Sequence, residues 1–124
     1  MYMHLNEEQL LEMAEIGRFD GYKILIYGSE GPVAHFHVDN NEKNIHACVK
    51  ILEDGYFQHG KYKDVLPTAV VKKLNLFLAS PHKFFGKDGY TNWQIICIYW
   101  NDNNPDYSID EDLDKLTMPK YNNL

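Results

Sequence analysis

The sequence predicts an α+β fold: a three- to four-stranded antiparallel meander, an N-terminal helix, and two C-terminal helices packed on the sheet. Three observations predict it. Runs of β-branched and aromatic residues, separated by turn residues, occupy 22 to 60. Val70, Leu74, Phe77 and Leu78 then fall on one helical stripe behind Leu66-Pro67. Finally, Thr91 and Gln94 have capping-box spacing ahead of Trp93, Ile96, Cys97 and Trp100, which share one helical face.

The elements follow in order. NEEQLLEMAEI (6–16) reads as a helix, with Asn6 as cap and Gln9 three residues on. Glu7 and Glu8 suit the positive end of its dipole. Leu10, Met13 and Ala14 form a short apolar stripe, and Gly17 is the expected stop. YKILIY (22–27) is the first strand, and GSEGP (28–32) has turn chemistry. AHFHV (34–38) and IHACVKIL (45–52) alternate, with DNNEKN (39–44) as the turn between them. Glu53-Asp54-Gly55 offers a hairpin turn into YFQHG (56–60), a candidate fourth strand. The helix behind Pro67 ends at Ser80-Pro81. TNWQIICIYWNDNNP (91–105) has the β-branched content of a strand and the cap and face of a buried helix; the helix is preferred.

The 124 residues suffice for one domain, placed at 1–104. An acidic tail, 105–124, carries five acidic residues and two lysines, half of the net charge of −6. Ile109, Leu113 and Leu116 can dock it on the body; the plainer expectation is a loosely held terminus. No apolar run reaches the length of a membrane span, and the N-terminus lacks a signal pattern. A bacterial cytoplasmic location is expected. The negative charge argues against a surface for nucleic acid and permits a basic protein partner, such as a nucleic-acid-handling protein. Glu7, Glu8, Glu12, Glu15, Asp110, Glu111, Asp112 and Asp114 are the candidate partner-binding residues, although such residues most often form a solvated face. Of the two cysteines, Cys97 sits in an apolar run and reads as core. No P-loop or dinucleotide fingerprint is present.

GPVAHFHV carries the chemistry. On a strand, residues i and i+2 share a face, so His35 and His37 point one way. On the next strand His46 and Cys48 share a face, opposite Ile45, Ala47, Val49 and Ile51. Bringing the apolar sets together forces all four metal-ligating side chains onto one face. With DNNEKN as the whole turn, Val38 faces Ile45, His37 faces His46, and His35 faces Cys48. Directly opposed Cβ atoms lie about 5 Å apart, within reach of one ion. An HxH strand facing an HxC strand therefore suits a four-ligand zinc site. If Asp54-Gly55 is a two-residue turn, His59 falls opposite Lys50 as a fifth candidate. Pairing Tyr27 with Ala34 would set Ile24 and Ile26 beside the histidines. Without Cys48, three histidines alone or with Asp39 remain as a ligand set. The other reading is ordinary strand decoration.

HFHVDNNE also has the H-x-H-x4-E spacing of a first cupin motif (His35, His37, Glu42), which would take iron or manganese. The glycine and second motif that normally accompany it are missing. A Cys48–His35 nucleophile pair is conceivable, but nothing marks an oxyanion site.

Residues 19 to 80 resemble the DUF4160 family of small bacterial proteins. The resemblance is carried by KILIYG, GPVAHFHV, IHACVKIL, YFQHGK and LPTAVVKKL, about half the chain. Val33-Ala34 departs from the family, which tends to have proline beside the histidine. His35, Phe36 and His37 match closely enough to carry over. The family brings no established activity; its association with mobile elements and toxin–antitoxin-like partners implies an interaction role. The expectation is a small zinc-binding, non-enzymatic interaction module. An inhibitor of a host nuclease, of the anti-CRISPR type that binds a Cas effector, and an antitoxin both fit. The alternative is a cupin-like metalloenzyme.

Overall fold

A computed structural model describes residues 13–124. Four antiparallel strands form one sheet in the order β1-β2-β3-β4: β1 Ala14–Phe19, β2 Tyr22–Ile26, β3 His35–Asn40 and β4 Ile45–Lys50. Two helices follow, α1 Thr68–Ala79 and α2 Asn92–Asn103. The α+β class is the predicted one. No helix among the described residues is long and apolar enough to cross a membrane.

The fourth strand is β1, not 56–60. Most of the expected N-terminal helix lies outside the described residues, but Ala14, Glu15 and Ile16 from its end are strand. Asp20-Gly21 explains why. Both have positive φ, 52° and 82°, as a two-residue type I′ hairpin requires, and Phe19 pairs with Tyr22 across it. Gly17, the expected helix stop, sits within β1 where the register shifts after Glu15. The Phe77 ring of α1 occupies the space a side chain there would need.

Tyr22, Ile24, Ile26, Phe36, Val38 and Val49 form the sheet side of the core. Against them pack Val70, Val71, Leu74 and Leu78 of α1, with Trp93, Ile96, Cys97 and Trp100 of α2. The 91–105 ambiguity resolves to helix because the capping box forms in full. Gln94 N–H donates to Thr91 Oγ1 (3.2 Å), and Thr91 N–H donates to Gln94 Oε1 (3.0 Å).

Two registers differ from expectation. β2 meets β3 as Ile24↔Val38 and Leu25↔His37, one residue from the predicted pairing. That slip sends Ile24 and Ile26 into the core and leaves Leu25 on the histidine face. β3 meets β4 as His37↔Cys48 and Asp39↔His46, two residues from the predicted pairing, because the turn spans only 41–44. Asp39 and Asn40 are buried and stay in β3, and Asn40 Oδ1 accepts from Lys43 N–H (3.0 Å).

The acidic run from Pro105 lies against the body. Ile109, Leu113 and Leu116 pack on the core, and Tyr121 is fully buried. The Tyr121 hydroxyl donates to Lys50 O (2.6 Å), and its backbone exchanges two hydrogen bonds of 2.9 Å with the Asn75 side chain. Asp54 accepts from the N–H groups of Asn122 and Asn123.

Candidate metal centre

The sheet face turned away from α1 carries Leu25, His35, His37, Asp39, His46 and Cys48. The segment after β4 folds back across it. Asp54-Gly55 is not a two-residue turn: residues 51–55 form a broad bend, so Lys50 N–H meets Gly55 O and Phe57 N–H meets Cys48 O, each at 2.9 Å. Residues 56–60 are held by isolated bridges, Val49↔Tyr56 and His59↔Tyr62, rather than as a strand. This corrects the predicted His59–Lys50 pairing and carries the His59 ring to Cys48.

Four side chains converge. The ligand atoms of His35, His37, Cys48 and His59 all lie within 4.8 Å of one another. Cys48 Sγ is 3.3 Å from His37 Nδ1 and 3.3 Å from His59 Nε2. With zinc–sulfur near 2.3 Å and zinc–nitrogen near 2.0–2.1 Å, a tetrahedron has sulfur–nitrogen edges of about 3.5 Å. The two observed edges are close to that size. His35, His37 and Cys48 are buried and His59 is partly so. Tyr27 and Tyr62 stand edge-on to His37 at ring separations of 4.7 and 4.2 Å, while Phe57 covers His35 at 4.9 Å.

Hydrogen bonds select the nitrogen that each of the two HxH rings offers. His35 Nδ1–H donates to Val33 O (2.7 Å), which leaves Nε2 as a lone pair. That Nε2 is buried and has no hydrogen-bond partner. Glu30 Oε1 stands 3.3 Å from it without forming a hydrogen bond. A proton or a metal cation on that nitrogen turns the contact with the carboxylate attractive. His37 Nε2–H donates to Glu30 Oε1 (2.5 Å), so Nδ1 faces Cys48.

The charges agree with a cation site. Burial alone would raise the Glu30 carboxyl, but attraction to the protonated His35 and His37 rings outweighs it and holds it at about 2, so it is an anion. Burial pushes the Cys48 thiol far above its usual range, and Glu30 and Asp39 push it further. Burial, and then positive charge on His35, lower His59. Without a metal, Cys48 is a buried thiol and no nucleophile; a bound metal would make it a thiolate. Three imidazoles and one thiolate fit zinc by ligand type and number.

The structure separates the other predicted residues from this cluster. His46 lies on the same face but pairs with Asp39, Nδ1 to Oδ1 at 3.2 Å, so neither joins the four. Glu42 is exposed in the 41–44 turn, so the cupin-type set does not assemble. Glu7, Glu8 and Glu12 lie outside the described residues. Glu15 is engaged by Arg18 at 2.9 and 3.1 Å. Asp110, Glu111, Asp112 and Asp114 are exposed; the Asp110 and Asp112 carboxylates accept from backbone N–H groups two residues on.

Glu30 is a site residue that no sequence motif singles out. It falls in GSEGP, whose composition signals a turn. The available signal was a lone acid between two turn residues, five positions ahead of an HxH strand. No family model, curated protein or solved structure matches the chain, so the case for the site rests on its own geometry: four converging ligands able to hold a metal ion.

Proposed function

We propose that this protein is a zinc-stabilised, non-enzymatic interaction module. The observation that carries this reading is the ligand set itself. Two ligands come from β3, one from β4 and one from the segment that folds back over the sheet. Four protein ligands complete a tetrahedron and leave no position for a substrate, which is the pattern of a structural site. Zinc would rivet the 56–62 segment to the sheet and fix the surface that the segment presents.

The partner proposed is a basic, nucleic-acid-handling protein, met by the acidic 110–114 surface in the cytoplasm of a bacterial host. The net charge of −6 supports a basic partner. The DUF4160 resemblance supports an interaction role, either as an anti-CRISPR-type inhibitor or as an antitoxin.

Elemental analysis of the untagged protein tests the metal. About one zinc per chain is expected, lost in His37→Ala and retained in His46→Ala. Iron or manganese in its place would overturn the zinc assignment. No metal in the wild type would remove the proposal. For the partner, charge reversal at Asp110, Glu111 and Asp112 should weaken a salt-sensitive complex; unchanged binding would exclude that surface.

A further inference from the structure

We infer that Glu30 is the positioning residue of the metal centre: its carboxylate holds the Nε2 proton of His37 and so makes Nδ1 the metal-binding atom. The inference rests on the zinc reading above and adds to it which atom of His37 binds and what fixes it.

The loop between β2 and β3 is built to carry this carboxylate back over the HxH strand. Ser29 and Gly31 flank Glu30 with positive φ, 57° and 84°, so the chain reverses sharply on both sides of it. Asn104, at the C-terminal end of α2, pins the loop from a distance of 74 residues. Its Oδ1 accepts from Glu30 N–H (2.9 Å), and its Nδ2 donates to Tyr27 O (3.0 Å) and Trp100 O (3.2 Å). Asn104 is itself buried, at 3% exposure. A helix end thus sets the loop backbone, the loop sets the carboxylate, and the carboxylate sets the ring.

The assignment of Nδ1 follows from exclusion at Nε2. One nitrogen cannot both donate its proton to Glu30 and bind a cation. Nδ1 is also the nearer nitrogen to Cys48 Sγ, 3.3 Å against 3.8 Å. A carboxylate behind a ligating histidine raises the basicity of the ring and locks its orientation; removing such a partner costs about 10–100-fold in metal affinity. Glu30 is well placed for testing because its side chain is 18% exposed and borders a cavity of about 360 Å³ with Tyr27, Lys61 and Tyr62. Trimming it opens that cavity rather than emptying the core.

The experiment combines zinc titration against a chromophoric chelator with long-range ¹H–¹⁵N correlation of the histidine rings. It uses the full chain, Glu30→Gln and Glu30→Ala, with circular dichroism to verify folding. In the zinc-loaded wild type, His37 should carry its proton on Nε2 and bind through Nδ1. Glu30→Ala should bind zinc about 10–100-fold more weakly, with Glu30→Gln between it and wild type, and both should still reach one zinc at saturation. Three results would overturn the inference: wild-type affinity in Glu30→Ala, a proton on Nδ1 of His37 in the zinc-loaded protein, or loss of the zinc at saturation in Glu30→Ala, which would make Glu30 a ligand. No zinc uptake by the wild type would instead remove the zinc reading itself, so the two failures are distinguishable.

Discussion

The stability of this protein should depend on free zinc. The structure provides a site that exists only in the folded chain, because its ligands come from β3, β4 and the segment beyond β4. A ligand that binds only the native state adds RT ln(1 + [L]/Kd), so each tenfold rise in free zinc above Kd adds about 1.4 kcal/mol. For 124 residues the unfolding entropy is about 0.26 kcal/mol/K near 60 °C. The melting temperature should therefore rise by about 5 °C per decade of free zinc. Chelation leaves the native state with His35 Nε2 buried and unpaired, a cost of about 1–3 kcal/mol. Calorimetric scans in zinc buffered at three concentrations measure the slope. His59→Ala is the companion variant, since it removes a ligand outside the sheet and should move the rise to higher zinc. A flat melting temperature in the wild type, or an identical rise in His59→Ala, would refute the reasoning.

Other consequences are independent of metal. Tyr121→Phe removes the buried 2.6 Å hydrogen bond to Lys50 O and should cost about 1–2 kcal/mol in urea unfolding; no change would mean the tail adds nothing there. Gly17→Ala places a Cβ 2.8 Å from Phe77 Cζ and should cost about 1–3 kcal/mol, with Phe77→Leu recovering part of the loss; additive effects of the two changes would contradict the contact. Burial pushes Cys97 from 9.0 up to about 12, so the native state keeps a proton that the unfolded chain has released. Stability should then fall as pH rises above about 9, by about 1 kcal/mol between pH 9 and 10, and Cys97→Ala should lose this component; an unchanged alkaline slope in that variant would assign it elsewhere.

The faces of the strands were legible in the sequence, but their registers were not. Alternation alone puts His35, His37, His46 and Cys48 on one side, and a slip of two residues preserves that side. The slip still changes the chemistry: it trades the His37–His46 opposition for His37–Cys48 and gives His46 to Asp39. Its source is the polar run 39–44, of which Asp39 and Asn40 are buried strand despite their composition. The same dipeptide, Asp-Gly, serves two different turns. Asp20-Gly21 forms the tight hairpin that creates β1, whereas Asp54-Gly55 lies in a broad bend. The difference is packing: Ile16 and Tyr22, on the two strands of the first hairpin, enter the core, while residues 52–55 do not. Glu30 is not legible in the sequence because its placement depends on Asn104, 74 residues away, which no local pattern reports.

Trp100 gives the centre an optical reporter. Its ring lies 5.4 Å from that of His35. The only other tryptophan, Trp93, donates its indole N–H to Ile51 O. Copper(II) or cobalt(II) bound at the cluster would quench the Trp100 emission at short range, whereas filled-shell zinc would shift it without that loss. Substituting Trp93→Phe isolates the signal, so occupancy can be followed in solution by fluorescence, without a label and on the time scale of mixing.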